Sequence, residues 1–292
     1  MEERRKQVDI FLENHFKIPT PDFGRLFQAM RYSLVAGGKR IRPILMLAAY
    51  EACGGPLRGD RREAALHVAS ALEMIHTYSL IHDDLPAMDN DDLRRGSPTN
   101  HKMFGEATAI LAGDSLLTEA FEVIAASRGV PSPILIQIIH DIARASGGRG
   151  MAGGQALDLD SEGRKITAAE LEKLHRHKTG CLIEVSVNSG AKLAEAASEK
   201  FQAIRTYGEA VGLAFQIADD ILDVEGGTAE LGKTAGSDAK KEKATYPSLL
   251  GLEKSKQLAR ECADRALTAL ASFDEKAEPL RQMAAYIIFR KN

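Results

Sequence analysis

The chain has no tryptophan, only three cysteines and ten prolines in 292 residues, and aromatics supply just 5% of it. Each scarcity excludes something. The cysteines, Cys53, Cys181 and Cys262, are odd in number, far apart and form no CxxC pair, so neither a disulfide framework nor a zinc site is indicated. They read as small core residues in a reducing compartment. No Ser/Gly-rich or proline-rich linker divides the chain and no repeat period recurs, which predicts one domain over residues 1–292. The longest apolar stretches, such as ILMLAAY, are far too short to span a bilayer, and the charged start MEERRKQVDIF lacks the apolar core of a signal peptide. A cytoplasmic protein with no membrane span is expected. A net charge of −3 without a concentrated basic patch also argues against a nucleic-acid partner.

What the chain does have is a 44% apolar content, ample for a buried core, and a dominance of Ala, Leu, Glu, Lys and Arg. Apolar residues recur at three- and four-residue spacing, and alternating β-branched runs are almost absent. The spacing predicts an all-α fold, with helices over 61–85, 106–127, 168–193, 199–224 and 254–272. Paired glycines and Gly-Pro steps punctuate them at Gly54-Gly55-Pro56, Gly129-Val130-Pro131, Gly147-Gly148 and Gly226-Gly227.

Charge is concentrated in two places. SLIHDDLPAMDNDDLRRG, residues 79–96, carries five aspartates between Asp83 and Asp92. Pro86 biases Leu85 out of helical geometry, so a helix ending near Asp84 is followed by a turn that lets Asp89 reach back toward Asp83 and Asp84. FQIADDILD, residues 215–223, places Asp219 and Asp223 four apart and Asp220 three from Asp223 on one helix, so that these carboxylates share one face. Either group alone reads as a solvated helix end. Two such groups on otherwise apolar helices read as a pair facing one another across a bundle, and facing carboxylates demand hard cations such as Mg²⁺.

The conspicuous basic residues suit phosphate. AGGKRIRP, residues 36–43, follows paired glycines with Lys39, Arg40 and Arg42 and offers Pro43 as a first helical residue. Arg94 and Arg95 follow the first aspartates directly. Lys178-Thr179-Gly180 interrupts a helical pattern and predicts a kink. Lys233 and Lys243 lie in a Gly-, Lys- and Thr-rich stretch, residues 226–245, with the composition of a mobile loop.

In this order and spacing, GGKRIRP, SLIHDDLPAMDNDDLRRG, GGQALDL, HKTG, FQIADDILD and KATYP resemble the motifs of the short-chain trans-isoprenyl diphosphate synthases, and the likeness runs from about Phe27 to the end. The resemblance implies a bundle of ten or more mostly antiparallel helices around a deep cavity, usually a homodimer. It implies that Asp83, Asp84 and Asp89, with Asp219 and Asp223, hold about three Mg²⁺ ions, which Mn²⁺ could replace, on the diphosphate of an allylic substrate. Arg94, Lys178 and Lys233 would grip that diphosphate, with Lys243 as a further substrate-binding cation. Lys39, Arg42, His76 and Arg95 would bind isopentenyl diphosphate. Thr179, Gln216 and the Lys178 carbonyl would lie near the developing carbocation, and Gln155 and Asp158 would play a supporting role. Without the motif, His76 on its mostly apolar helix reads as a satisfied core histidine.

Within this family product length is set by the cavity floor below the first acidic motif. Tyr78 and Ser79 precede Asp83 by five and four residues, roughly 6–8 Å along a helix. An aromatic ring there argues for a fifteen-carbon product, and the Pro86-Ala87 insertion matches bacterial farnesyl synthases, while the flanking sequence also resembles geranylgeranyl synthases. A terpene cyclase would lack the second aspartate motif and the second cationic site. A metal phosphohydrolase built on His82-Asp83 would need partner histidines that do not follow. A non-catalytic isoprenoid-binding subunit would have lost some of these aspartates or Arg94-Arg95.

Overall fold

The computed structural model describes residues 1–17, 21–225 and 244–289. The chain is all-α, with twelve helices of eight residues or more among the described residues and a single two-residue hairpin. Lys233, Lys243, Gly226-Gly227 and the last three residues lie outside the described residues.

The chain divides into two compact units, one of residues 1–47 and 57–139, the other of residues 48–56 and 140–292. In the first, α1 (Glu2–His15), α2 (Gly24–Val35) and the start of α3 (Ile41–Ala52) accompany α4 (Asp60–Asp83), α5 (Asn100–Phe104), α6 (Glu106–Ala125) and the first half of α7 (Ser132–Ser146). The central element is α4, 24 residues with Asp60 and Glu63 favouring its N-terminus electrostatically. Val68, Leu72, Met74 and Ile75 are fully buried along it, and it packs chiefly on α6. It ends at Asp83, close to the expected position before Pro86.

The 36–43 stretch departs from expectation in one respect. Helix α3 starts at Ile41, so Pro43 stands third in its first turn, where no backbone N–H is yet required. Arg40 precedes it at a φ of 49°. Its guanidinium is buried on Glu73 (2.8 Å), Asp9 (2.8 Å) and the Leu34 carbonyl (2.5 Å), so this cation is structural.

The second unit is built on α11 (Ser198–Glu225), 28 residues against which α10 (Cys181–Leu193), the short α12 (Tyr246–Leu250) and α13 (Leu252–Ala269) pack. Fully buried Tyr207 of α11 donates its hydroxyl to the Leu280 carbonyl of α14 (Glu278–Phe289) at 2.7 Å. The interruption expected within 168–193 is present. Thr167 caps α9 (Ala168–His175) through a reciprocal box with Glu170. The chain then widens into one π-helical turn, Arg176–Gly180, before α10 resumes. Such a bulge aims side chains off the regular helical stripe, here Lys178 and Thr179.

Candidate active site

At the end of α4 the backbone makes the reversal that Pro86 predicted. The Asp89 N–H donates to the Asp83 carbonyl at 2.8 Å, and the Met88 and Asn90 N–H groups close on the Leu85 carbonyl at 2.9 and 3.1 Å. The chain next forms an antiparallel hairpin of Leu93–Arg94 with Ser97–Pro98. Its tip, Arg95-Gly96, has φ values of 55° and 78°, the signature of a primed turn whose twist suits paired strands. Arg94 and Arg95 are thereby sent in separate directions.

Arg94 folds back on the aspartates. Its Nε and Nη2 donate to Asp84 Oδ1 at 2.6 and 2.5 Å, and Nη2 lies 3.4 Å from Asp91. Burial alone would lower the Arg94 guanidinium, but Asp84, Asp91 and Asp83 outweigh it and raise its pKa. Arg95 donates to the Gly37 carbonyl and is lowered, by burial first, with Arg40 and Arg94 adding to the effect. A small cavity lies beneath, lined by Tyr32, Thr77, Leu80, Ile81, Arg94 and Arg95 among others. His76 carries the clearest electrostatic mark. Burial, then Arg42, Arg95, Arg94 and Arg40, push its pKa well below the ordinary histidine value. The guanidinium groups of Arg42, Arg95, Arg94 and Arg40 thus act together on an imidazole about two turns before Asp83.

In the first unit Lys39 is exposed and Arg42 buried, and the second unit holds Gln155, Asp158, Lys178, Thr179, Gln216, Asp219 and Asp223. Along α11, Gln216, Asp219 and Asp223 form a half-exposed stripe, while Ile217, Ala218, Asp220 and Ile221 are buried. Asp220 thus departs from the shared face that spacing suggested. It accepts the Tyr246 N–H at 2.9 Å, and His175 Nε2 lies 3.4 Å from the same oxygen. The His175 and Tyr246 rings stack with centroids 5.6 Å apart. The pattern matches the first motif: in each Asp-Asp pair the first residue is half-exposed and the second is buried and held by the protein.

Lys178 sits on the π turn with Nζ 2.6 Å from Asp158 Oδ2 of α8 (Met151–Ser161), and Thr179 beside it is buried. Gly154 permits this approach, since a Cβ there would stand 2.1 Å from the Lys178 backbone nitrogen. One residue on, Gln155 is 9% exposed and neither end of its amide has a hydrogen-bond partner among the described residues. A buried amide left so costs free energy unless something polar meets it. Asp158 as the lysine's partner and Asp220 as an anchor were both hidden in the sequence, because a carboxylate's partner is set by tertiary approach and not by local spacing.

The donor set for a metal is all carboxylate, which suits a hard oxygen-loving cation. Among the described residues no three ligand-type groups gather at one point. That is compatible with Mg²⁺, which takes one or two carboxylates and completes its shell with water and phosphate oxygens.

The polyprenyl synthetase family model matches residues 24–285. The chain is 50% identical to a dimethylallyltranstransferase of Fischerella ambigua, over 99% of this chain and 82% of that protein. It is 49% identical to a chloroplastic geranylgeranyl pyrophosphate synthase of Catharanthus roseus (92% and 74%) and equally to a farnesyl diphosphate synthase of Geobacillus stearothermophilus (88% and 85%). In structure it is similar to an apo FPP/GFPP synthase of Zymomonas mobilis, with a TM-score of 0.88 and 39% identity over 98% of this chain and 97% of that one.

Proposed function

The chain belongs to the polyprenyl synthetase family of prenyltransferases, and on that premise we propose that it condenses isopentenyl diphosphate with dimethylallyl and geranyl diphosphates to give farnesyl diphosphate. The observation that carries the reading is the turn and hairpin directly behind the first aspartates, which bring Arg94 onto Asp84 and Arg95 onto the Gly37 carbonyl of the 36–43 basic stretch, at the end of a helix that holds an aromatic ring five residues before Asp83.

In this reading Lys39, Arg42, His76 and Arg95 hold the diphosphate of isopentenyl diphosphate. Arg94, Lys178 and Lys233 bind that of the allylic partner, and Lys243 adds a further cation. Asp83, Asp84, Asp89, Asp219 and Asp223 are the carboxylates offered to Mg²⁺, or to Mn²⁺ in its place. Mg²⁺, when bound, supplies neutralisation of a leaving diphosphate. Lys178 and Arg94 add fixed positive charge where that negative charge develops, which is transition-state stabilisation by preorganised groups. Release of Lys178 from Asp158 and of Arg94 from Asp84 accompanies substrate entry. The Thr179 hydroxyl, the Lys178 carbonyl and the Gln216 amide turn oxygen toward the allylic cation. The isopentenyl double bond attacks it, and a proton is lost to the departing diphosphate. The step requires a site that excludes water, which would trap the cation.

Tyr78 is the proposed stop, with Ser79 beside it. It is half-buried five residues before Asp83, about 7.5 Å down the helix, and its hydroxyl is raised by burial and by Asp83. Geranylgeranyl diphosphate is the rival product, favoured by the equal identity to synthases of that name. A homodimer is part of the reading, and the exposed Ile110, Leu111 and Ile136 of α6 and α7 are the surface where its contacts are expected. The test is incubation of the purified protein with Mg²⁺, labelled isopentenyl diphosphate and each allylic diphosphate in turn, followed by chromatography of the dephosphorylated prenols. Farnesol as the main product supports the assignment, geranylgeraniol corrects the length, and no prenol from any pairing leaves a non-catalytic isoprenoid-binding protein.

A further inference from the structure

The ring of Tyr78 does not stand alone on α4. His82, one turn later and on the same stripe, meets it edge-on with centroids 5.8 Å apart and an interplanar angle of 78°. His82 is itself tied to the neighbouring helix. Its Nε2 lies 3.1 Å from the Ile110 carbonyl of α6 and 3.8 Å from Asp114. Room for the imidazole exists because position 113 has no side chain: a Cβ on Gly113 would fall 2.2 Å from Nε2 and 2.5 Å from Cδ2. The three residues form a chain of contacts from the backbone of α6, through an imidazole, to the ring proposed as the cavity floor.

A ring can stop a growing prenyl tail only if it resists being pushed aside. Tyr78 turns about two side-chain torsions, and its rotamer is held by whatever packs against its faces and edges. An edge-to-face neighbour is worth about 0.5–1.5 kcal/mol beyond area burial, and the neighbour here is anchored to a second helix. We propose that His82 is a specificity-determining residue that buttresses Tyr78, and that Gly113 is the vacancy on α6 that lets it do so. The inference rests on the reading of Tyr78 as the floor. Chain-length control then spans two helices, with its outermost element on α6 and not on the helix that carries the first aspartates.

Product ratio is the suitable readout, because it is internal to each enzyme preparation and does not move when a variant merely loses rate or folded fraction. In His82→Ala the twenty-carbon to fifteen-carbon ratio should rise about two- to tenfold, the range that one lost aromatic contact represents. In a Tyr78→Ala background the same change should add nothing, since no ring is left to buttress. Gly113→Ala, which drives the imidazole from its seat, should also shift the ratio, and that shift should vanish when His82 is Ala. This second variant keeps the idea testable where the first fails to fold. If Tyr78→Ala lengthens the product while His82→Ala leaves the ratio unchanged, or if the two effects add in full, the buttress is refuted and the floor stands. If Tyr78→Ala itself leaves the length unchanged, the floor reading falls and the buttress with it.

Discussion

Ion pairing at the first acidic motif is a matter of two side chains. Asp84 and Arg94 are 3% and 17% exposed and bonded at 2.5–2.6 Å, so each shields the other from the cost of a buried charge. Removing one partner is therefore worse than removing both. Arg94→Met is expected to lower unfolding free energy by about 3 kcal/mol, and Arg94→Met with Asp84→Leu to restore most of it, in urea titrations of the two variants. His76 permits a second residue-level prediction. Because its pKa is lower in the folded protein than in the unfolded chain, the unfolded state binds the extra proton. Stability must then fall as pH drops from the ordinary histidine range toward the lowered value, and His76→Gln should flatten that part of the curve. Equal slopes for wild type and variant would refute it. Of the cysteines only Cys262 is buried, Cys53 and Cys181 being half-buried; burial pushes the Cys53 thiol up to about 11 and raises Cys181 and Cys262 as well. All three are poor thiolates at neutral pH.

Elements position these groups through close approaches that spacing alone does not reveal. The π turn was legible as an interruption at Lys178-Thr179-Gly180, since those residues break an apolar period. The path of α8 across it was not, because what matters is the lack of a side chain at Gly154. A methyl there would meet backbone, which cannot swing away. Gly154→Ala is expected to cost about 1–3 kcal/mol and to raise KM for the allylic diphosphate by displacing Lys178. Thr167→Ala, which removes the cap of α9, should cost about 1 kcal/mol and leave KM unchanged. Steady-state kinetics beside thermal melts separate the two. Long helices were read to within a few residues, because α4 and α11 carry uninterrupted apolar stripes and clear breakers. Asp220 leaves the half-exposed stripe of Asp219 and Asp223, a choice that helical spacing leaves open. The Tyr246 amide decides the matter.

For the molecule as a whole, the motifs in the sequence named the family, and the all-α fold followed from periodicity and the near absence of alternating runs. Product length did not follow with the same force, because relatives named for different products are equally identical to this chain. Binding should be visible without catalysis. Inorganic pyrophosphate with Mg²⁺ at about a hundred times its dissociation constant should stabilise the folded state by about 2.7 kcal/mol and raise the melting temperature by a few degrees. Mg²⁺ alone or pyrophosphate alone should do far less, since each supplies half of the charge that the other needs. An equal rise with pyrophosphate alone would mean that the arginines bind it without metal.

The buried second aspartates carry a consequence for assembly. Adjacent carboxylates usually wait for a cation to relieve their repulsion, and proteins so built come apart in chelator. Here Asp84 is already paired with Arg94 and Asp220 already accepts the Tyr246 amide, so the buried member of each pair is held by the protein itself. The scaffold is complete before any ion arrives. Excess EDTA should abolish turnover while leaving the melting curve where it was, and metal added back should restore activity without a refolding lag.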